Sequence, residues 1–231
     1  MVLGVLGVAV LAFLLSNRPP PPGFTAPAAA GLDDLATTAP AAAPLRLLVV
    51  GDGSTLAPEG VVGWPQLVAD GLSGGGARPV ELTVAAADGS GYLVRPADGQ
   101  TFGRLAEGAG GDFDVVVLSG SRDDNAAFPA VQAAAQQTIE AVRAASPEAA
   151  LLAVGPTWPE SPAPGYVQTD RDAVAAAAEA TATAFADPLA EEWLTAPGLV
   201  GDDGETPTAE GHQALADRIR PLVEPLVPAG G

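Results

Sequence analysis

Short apolar segments alternate with amphipathic helical patterns over most of this chain, and this alternation limits the folds open to it. The pattern predicts strands at Leu45–Val50, Val80–Val84, Phe113–Leu118, Ala150–Val154 and Ala182–Ala186. It predicts helices at about Trp64–Leu72, Asn125–Ala145 and Asp170–Ala180, and the apolar positions Leu215, Ile219, Leu222 and Leu226 mark a last helix. Strands that are apolar throughout and alternate with helices are typical of a parallel sheet covered on both faces. Right-handed crossovers then give a three-layer α/β/α fold, a doubly wound parallel five-stranded sheet.

Two segments of different character precede this region. Val2–Leu15 is an unbroken run of apolar residues and Gly, and four prolines follow it closely. At ~1.5 Å per residue, a run of this length is short for a spanning helix and suits a signal-peptide core or a short anchor. For residues 1–17 we favour an uncleaved membrane anchor over a cleaved signal. Residues 18–44, rich in Pro and Ala, predict an extended tether to a domain at 45–231.

The charge and the absent residue types exclude several classes of function. The formal net charge of −18 over 231 residues argues against binding of nucleic acid or of an anionic membrane surface, because both would repel the domain. It fits a domain outside the cell, or a partner that carries positive charge. The absence of Cys excludes disulfides, thiolate zinc sites and cysteine nucleophiles.

In a doubly wound sheet, ligands bind outside the carboxyl ends of the strands. Loops at these ends, and a segment between them, hold the polar motifs of the chain: Gly51–Thr55, Asp88–Tyr92, Ser119–Asp124 and Asp203–Pro207. Their order, spacing and strand context resemble the SGNH/GDSL hydrolase family over about Leu45–Val227. The resemblance implies a flavodoxin-like sheet and the cleavage of esters, often the removal of acyl groups from carbohydrates or lipids.

The family carries its catalytic groups in four motifs. Gly-Asp-Ser supplies the nucleophile, a Gly amide and the Asn of Gly-x-Asn-Asp serve the oxyanion hole, and Asp-x-x-His supplies the acid and the base. Matched in that order, the resemblance assigns these five roles to Gly53, Gly91, Asp123, Asp203 and Thr206. Only Gly91 and Asp203 keep the residue of the family, so the nucleophile, the Asn and the base are replaced.

These replacements predict a catalytically inactive or severely impaired protein. Gly53 has no side chain with which to attack, and Thr206 cannot accept the proton that makes a hydroxyl nucleophilic near neutral pH. An ionised carboxylate at Asp123 offers acceptors only, so it would repel an oxyanion.

An active serine esterase is the alternative interpretation. It would use Ser54, next to the nucleophile position, together with Asp203 and an unusual base. His212, the only His of the chain, is the candidate for that base. We interpret Ser54 as a turn or cap residue and His212 as structural. Thr206 followed by Pro207 predicts a helix N-cap with Pro at the first helical position.

No organic cofactor is expected. The sequence suggests two classes of ligand, a divalent cation and a carbohydrate or acylated ligand. Five acids would approach one cleft and repel one another unless a cation or Arg122 lies among them: Asp52, Asp123, Asp124, Asp203 and Glu205. Oxygen ligands of this kind favour Ca²⁺ or Mg²⁺. The second hypothesis is an envelope carbohydrate or acylated ligand, with stacking surface from Trp64, Trp158, Tyr166 and Trp193.

Overall fold

The computed structural model describes residues 43–74, 78–97 and 99–228, which form a parallel five-stranded sheet of order β2-β1-β3-β4-β5. The strands are β1 (Leu45–Gly51), β2 (Val80–Ala86), β3 (Val115–Ser119), β4 (Ala150–Val154) and β5 (Ala184–Ala186). The strand order reverses between β1 and β3, which is where doubly wound sheets bind ligands. The predicted three-layer α/β/α fold is confirmed.

Helices cover both faces of the sheet. They are α1 (Trp64–Ser73), α2 (Phe102–Ala109), α3 (Phe128–Ala145), α4 (Gly165–Ala180) and α5 (Ala209–Val223), with 3₁₀ turns at Gly53–Thr55 and Glu224–Leu226. Strand β1 shows why there are two cores, because successive side chains of a strand point to opposite faces. Its Leu47 and Val49 pack with α1 and α5 on one face, and Leu48 and Val50 pack with α2, α3 and α4 on the other.

Several local features differ from the sequence-based expectation. Helix α4 begins at Gly165, five residues before the predicted start at Asp170. Helix α2 was not predicted, because it has eight residues and two of them are Gly. Helix α3 begins at Phe128 and not near Asn125, with a Pro in its first turn. The predicted cap at Thr206 is wrong. Helix α5 begins at Ala209, and its N-cap is Thr208, whose Oγ1 accepts a hydrogen bond from the Gly211 amide at 3.1 Å.

The proposed anchor and almost all of the tether lie at residues 1–42, outside the described residues, and stay predictions. Within the described ranges, no helix combines the length and the apolar character needed to cross a bilayer.

Candidate active site

Asp52 ties together the loops that follow β1 and β3. Its carboxylate is buried and accepts hydrogen bonds from the Ser54 amide (2.9 Å), the Ser54 hydroxyl (2.6 Å) and the Ser121 amide (3.2 Å). Burial raises the pKa of Asp52 above its ordinary value, and the hydrogen bonds from Ser54 and the charge of Arg122 oppose that shift. Asp52 therefore holds the loop and does not face a substrate.

The hydroxyl group of Ser54 is used in the buried hydrogen bond to Asp52. The side chain is 2% exposed, and its Oγ donates to Asp52. Across the part of the chain that the structure describes, no hydrogen bond joins Ser54 to Asp203 or to His212. Its position is that of a turn residue, and its oxygen is out of reach of a substrate in the cleft.

Gly53 faces an open cleft of about 630 Å³ between the loops. The cleft is lined by Gly53, Leu56, Ala57, Pro58, Asp88, Arg122, Gly201, Asp203, Glu205, Thr206, Pro207 and Thr208. A Cβ atom built on Gly53 would lie 2.3 Å from Oδ1 of Asp88, a separation that real side chains essentially never show. The Asp88 carboxylate thus occupies the space in which a nucleophile at position 53 would begin.

Sequence reasoning missed Asp88. The residue lies in one of the loops that follow the strands, so its position was a usable signal. Nothing in the motif pattern indicated that its side chain would turn toward Gly53.

The Gly91 amide, the expected oxyanion donor, already has a partner, because it donates to the carbonyl oxygen of Val94 at 3.0 Å. The turn that makes this bond is held by Asp124. The Asp124 carboxylate accepts from the amides of Tyr92 (3.0 Å), Leu93 (2.8 Å) and Val94 (2.8 Å). It also accepts from the Ser121 hydroxyl at 2.5 Å. Asp124 is therefore a structural acid.

The loop after β3 carries Arg122, which lines the cleft, and the neighbouring Asp123. Partial burial raises the pKa of Asp123 to about 6, with a further contribution from Asp52, while Arg122 acts in the opposite direction. The guanidinium of Arg122 is buried, with Nη2 lying 3.7 Å from Oε2 of Glu205 and Nη1 donating to the Glu205 carbonyl at 3.4 Å. This contact joins the loop after β3 to the loop before α5.

Asp203 retains the relation to position 206 that the family motif implies. Its Oδ1 accepts from the amides of Glu205 (2.9 Å) and Thr206 (3.0 Å). Hydrogen bonds from the Thr206 side chain and backbone lower the pKa of Asp203 to about 2. The acid is ionised and still orients the residue three positions later, although that residue is Thr.

His212 is a buried residue of α5, and its ring faces the start of α1. Its Nδ1 accepts from the Trp64 amide at 3.3 Å, and burial lowers its pKa. Its Nε2 is buried and has no hydrogen-bond partner in the described ranges. The location fits the structural interpretation.

The five acids do not converge as ligands of one ion. Asp52 and Asp124 are buried and satisfied by the loops, and Asp203 binds backbone amides. Among the described residues, no group of three or more acidic or histidine side chains is arranged to hold a metal ion.

Comparison with known proteins identifies the scaffold. No family model matches the chain. The GDSL lipase Rv0518 of Mycobacterium tuberculosis is 35% identical over 185 residues, which cover 76% of this chain and 80% of that protein.

The chain belongs to the SGNH/GDSL hydrolase family.

Solved structures share the fold of this SGNH/GDSL hydrolase at lower identity. TesA is 22% identical with a TM-score of 0.65, and the alignment covers 78% of this chain and 99% of TesA. Est24, a carbohydrate acetylesterase from Sinorhizobium meliloti, is 17% identical with a TM-score of 0.60, covering 79% and 99% of the two chains. Gly53, Asp203 and Thr206 line one cleft of this scaffold, and of the three only Asp203 is the residue that the family motifs imply.

One further acid supports the loop of this SGNH/GDSL hydrolase that carries Arg122. Asp170 of α4 is fully buried, its Oδ2 accepts from the Asn125 amide at 3.0 Å, and its Oδ1 has no partner among the described residues. Burial, together with the charge of Asp124, raises the pKa of Asp170 to about 7. The folded state therefore favours the neutral carboxyl group.

This raised pKa predicts a pH-dependent stability. The contribution of Asp170 is fully present below about pH 4, where the unfolded chain is also protonated, and is lost as the pH rises through about 7. Asp170→Asn keeps the acceptor and removes the charge. We expect the melting temperature of Asp170→Asn, relative to wild type, to rise by about 5 °C between pH 5 and pH 8 in thermal melts.

The matched control is Glu179→Gln, an exposed carboxylate on the same helix. Its melting temperature relative to wild type should not change between pH 5 and pH 8. An offset for Asp170→Asn that is constant with pH would contradict the prediction.

Proposed function

We propose that this SGNH/GDSL hydrolase is a non-hydrolytic or severely impaired member of its family that binds an acylated or carbohydrate ligand at the cell envelope. The main support for the loss of catalysis is the environment of position 53. Position 53 has no nucleophile, and the Asp88 carboxylate lies where one would begin, 2.3 Å from an ideal Cβ. An exposed carboxylate beside position 53 opposes the build-up of an oxyanion there.

The remaining parts of the site support this proposal. Thr206 cannot act as a general base, and His212 is enclosed in the core. The Gly91 amide is engaged by Val94, so it is not free to donate to an oxyanion. Loss of a single oxyanion donor can cost about 10² to 10³ in rate, and here nucleophile and base are missing as well.

Hydrolysis of p-nitrophenyl acetate tests the proposal. We expect the release of p-nitrophenol by the wild-type chain to equal that of the heat-inactivated protein, and Ser54→Ala to give the same rate. An active serine esterase would instead show wild-type turnover that disappears in Ser54→Ala, and that result would reject the non-hydrolytic assignment. A melting curve for Ser54→Ala checks that losing the hydrogen bond to Asp52 has not unfolded it.

Location and ligand class rest on separate grounds. The apolar run Val2–Leu15, followed by a Pro- and Ala-rich segment, supports a domain held at a membrane. The charge of −18 favours a ligand that carries no negative charge. The chain is related to a GDSL lipase and has the fold of a carbohydrate acetylesterase. We therefore infer a ligand that carries acyl or sugar groups.

A further inference from the structure

A second depression of about 200 Å³ lies at the carboxyl ends of β4 and β5, formed by different residues from those of the cleft at Gly53. The loops that follow these two strands form most of its wall. Side chains that can pack against or bond a ligand there are Trp158, Glu160, Gln168, Arg171, Glu192 and Thr195. Its volume is below the ~300 to 1,000 Å³ of pockets for drug-sized ligands, so it suits one small ring.

Trp158 distinguishes this depression from an ordinary surface hollow. Trp64 and Trp193, the other two tryptophans, are packed into the core. Trp158 is only partly buried, and Tyr166 contacts it edge-on with ring centroids 6.2 Å apart. Its Nε1 is buried with no hydrogen-bond partner within the described ranges. The part of the indole that lines the depression is therefore its apolar ring and not this buried N–H.

The charges around Trp158 select against an anionic ligand. Arg171 is the one basic residue in the lining, and its guanidinium is neutralised by Asp187 at 2.6 Å and by Asp172 at 2.6 Å. Glu160 and Glu192 add exposed acceptors. Glu192 also has a φ of 52°, an unfavourable value for a residue with a side chain and one that is enriched at ligand-binding loops.

From these features we propose that the depression is a subsite for a neutral sugar ring. The apolar C–H face of the ring packs against the part of the indole of Trp158 that lines the depression. Carboxylates and the Gln168 amide bond the hydroxyl groups, because planar polar side chains can both orient and satisfy them. The choice of a sugar as the ligand rests on the proposed function. The new element is the place of binding, which lies outside the cleft at Gly53.

The test uses the whole chain and the methyl glycosides of glucose, galactose, mannose and N-acetylglucosamine. Binding is followed by saturation-transfer NMR and by tryptophan fluorescence, in which Trp158 is the tryptophan at the surface. We expect at least one glycoside to bind with a Kd of about 1 to 10 mM, as suits a single-ring contact. Trp158→Ala should weaken that binding at least tenfold. Phe128→Ala, which removes an exposed aromatic residue at the start of α3, should leave it unchanged.

Two results would overturn the subsite: none of the four glycosides binds, or binding is the same in Trp158→Ala as in wild type. The second result would place any sugar elsewhere on the domain, which removes the subsite and leaves the proposed ligand class intact. Esterase activity in the wild-type chain would reject the non-hydrolytic assignment without affecting the sugar titration, so the two proposals fail separately.

Discussion

The fourfold variant Gly53→Ser, Asp88→Ala, Asp123→Asn and Thr206→His is expected to hydrolyse p-nitrophenyl acetate at least about 10³-fold faster than the wild-type chain. The gain follows from restoring a nucleophile and its base together, since general-base assistance alone contributes about 10² to 10⁴. Asp203 is already in place, because its carboxylate holds the amide of position 206 at 3.0 Å and is ionised near neutral pH. The scaffold supplies the geometry, and the substitutions supply the missing groups.

Asp88→Ala is the part of this variant that only the structure suggests. A serine Cβ at position 53 would meet Oδ1 of Asp88 at 2.3 Å, so the carboxylate has to move. Even displaced, it would leave a negative charge beside the reacting carbonyl. We therefore expect the triple variant that retains Asp88 to be at least tenfold slower than the fourfold variant, measured by initial rates at the same substrate concentration.

Controls for the fourfold variant separate triad chemistry from nonspecific hydrolysis. Adding Asp203→Ala should remove most of the gain, because the new imidazole loses its orienting acid. Full family rates are not expected, since the Gly91 amide remains bonded to Val94. A correctly folded fourfold variant no faster than wild type would show that positions 53 and 206 do not meet as the family motifs imply.

Asp124→Ala is expected to destabilise the domain by at least about 3 kcal/mol. Three backbone amides and the Ser121 hydroxyl lose their common acceptor, and a buried donor left unpaired costs about 1 to 3 kcal/mol. In a chain of this size the loss corresponds to a fall of about 10 °C in melting temperature. Urea denaturation and thermal melts measure the change.

The adjacent residue is a matched control. Asp123 makes no hydrogen bond to the described residues, and partial desolvation together with the charge of Asp52 raises its pKa, so Asp123→Ala should not lower the stability. Equal losses in Asp123→Ala and Asp124→Ala would contradict the structural role assigned to Asp124. The pair also tests the register of this loop, since only one of two neighbouring acids can face the amides.

Sequence patterns located most of the elements because each depends on its own residues. The strand predicted at Ala150–Val154 has the same bounds in the structure, since a short apolar run that ends at Gly155 and Pro156 is a local signal. Helix α2 lacks such a signal. Phe102 stabilises it by packing edge-on against Tyr92, with ring centroids 4.9 Å apart, and that partner lies in a preceding loop. The helix propensity of the eight residues of α2 does not reveal a contact with a residue outside the helix.

By itself, the sequence determined the sheet architecture and the loops that hold the site, and its resemblance to the family predicted that the Ser and His are replaced. These follow from apolar periodicity and from residues at fixed spacing. Only the tertiary structure decided that Asp88 enters the space beside Gly53, that Ser54 turns inward to Asp52 and that Val94 engages the Gly91 amide. Each of these contacts depends on the conformation of a loop and on residues distant in sequence. Loops have no periodic residue pattern, so the sequence alone does not reveal such contacts.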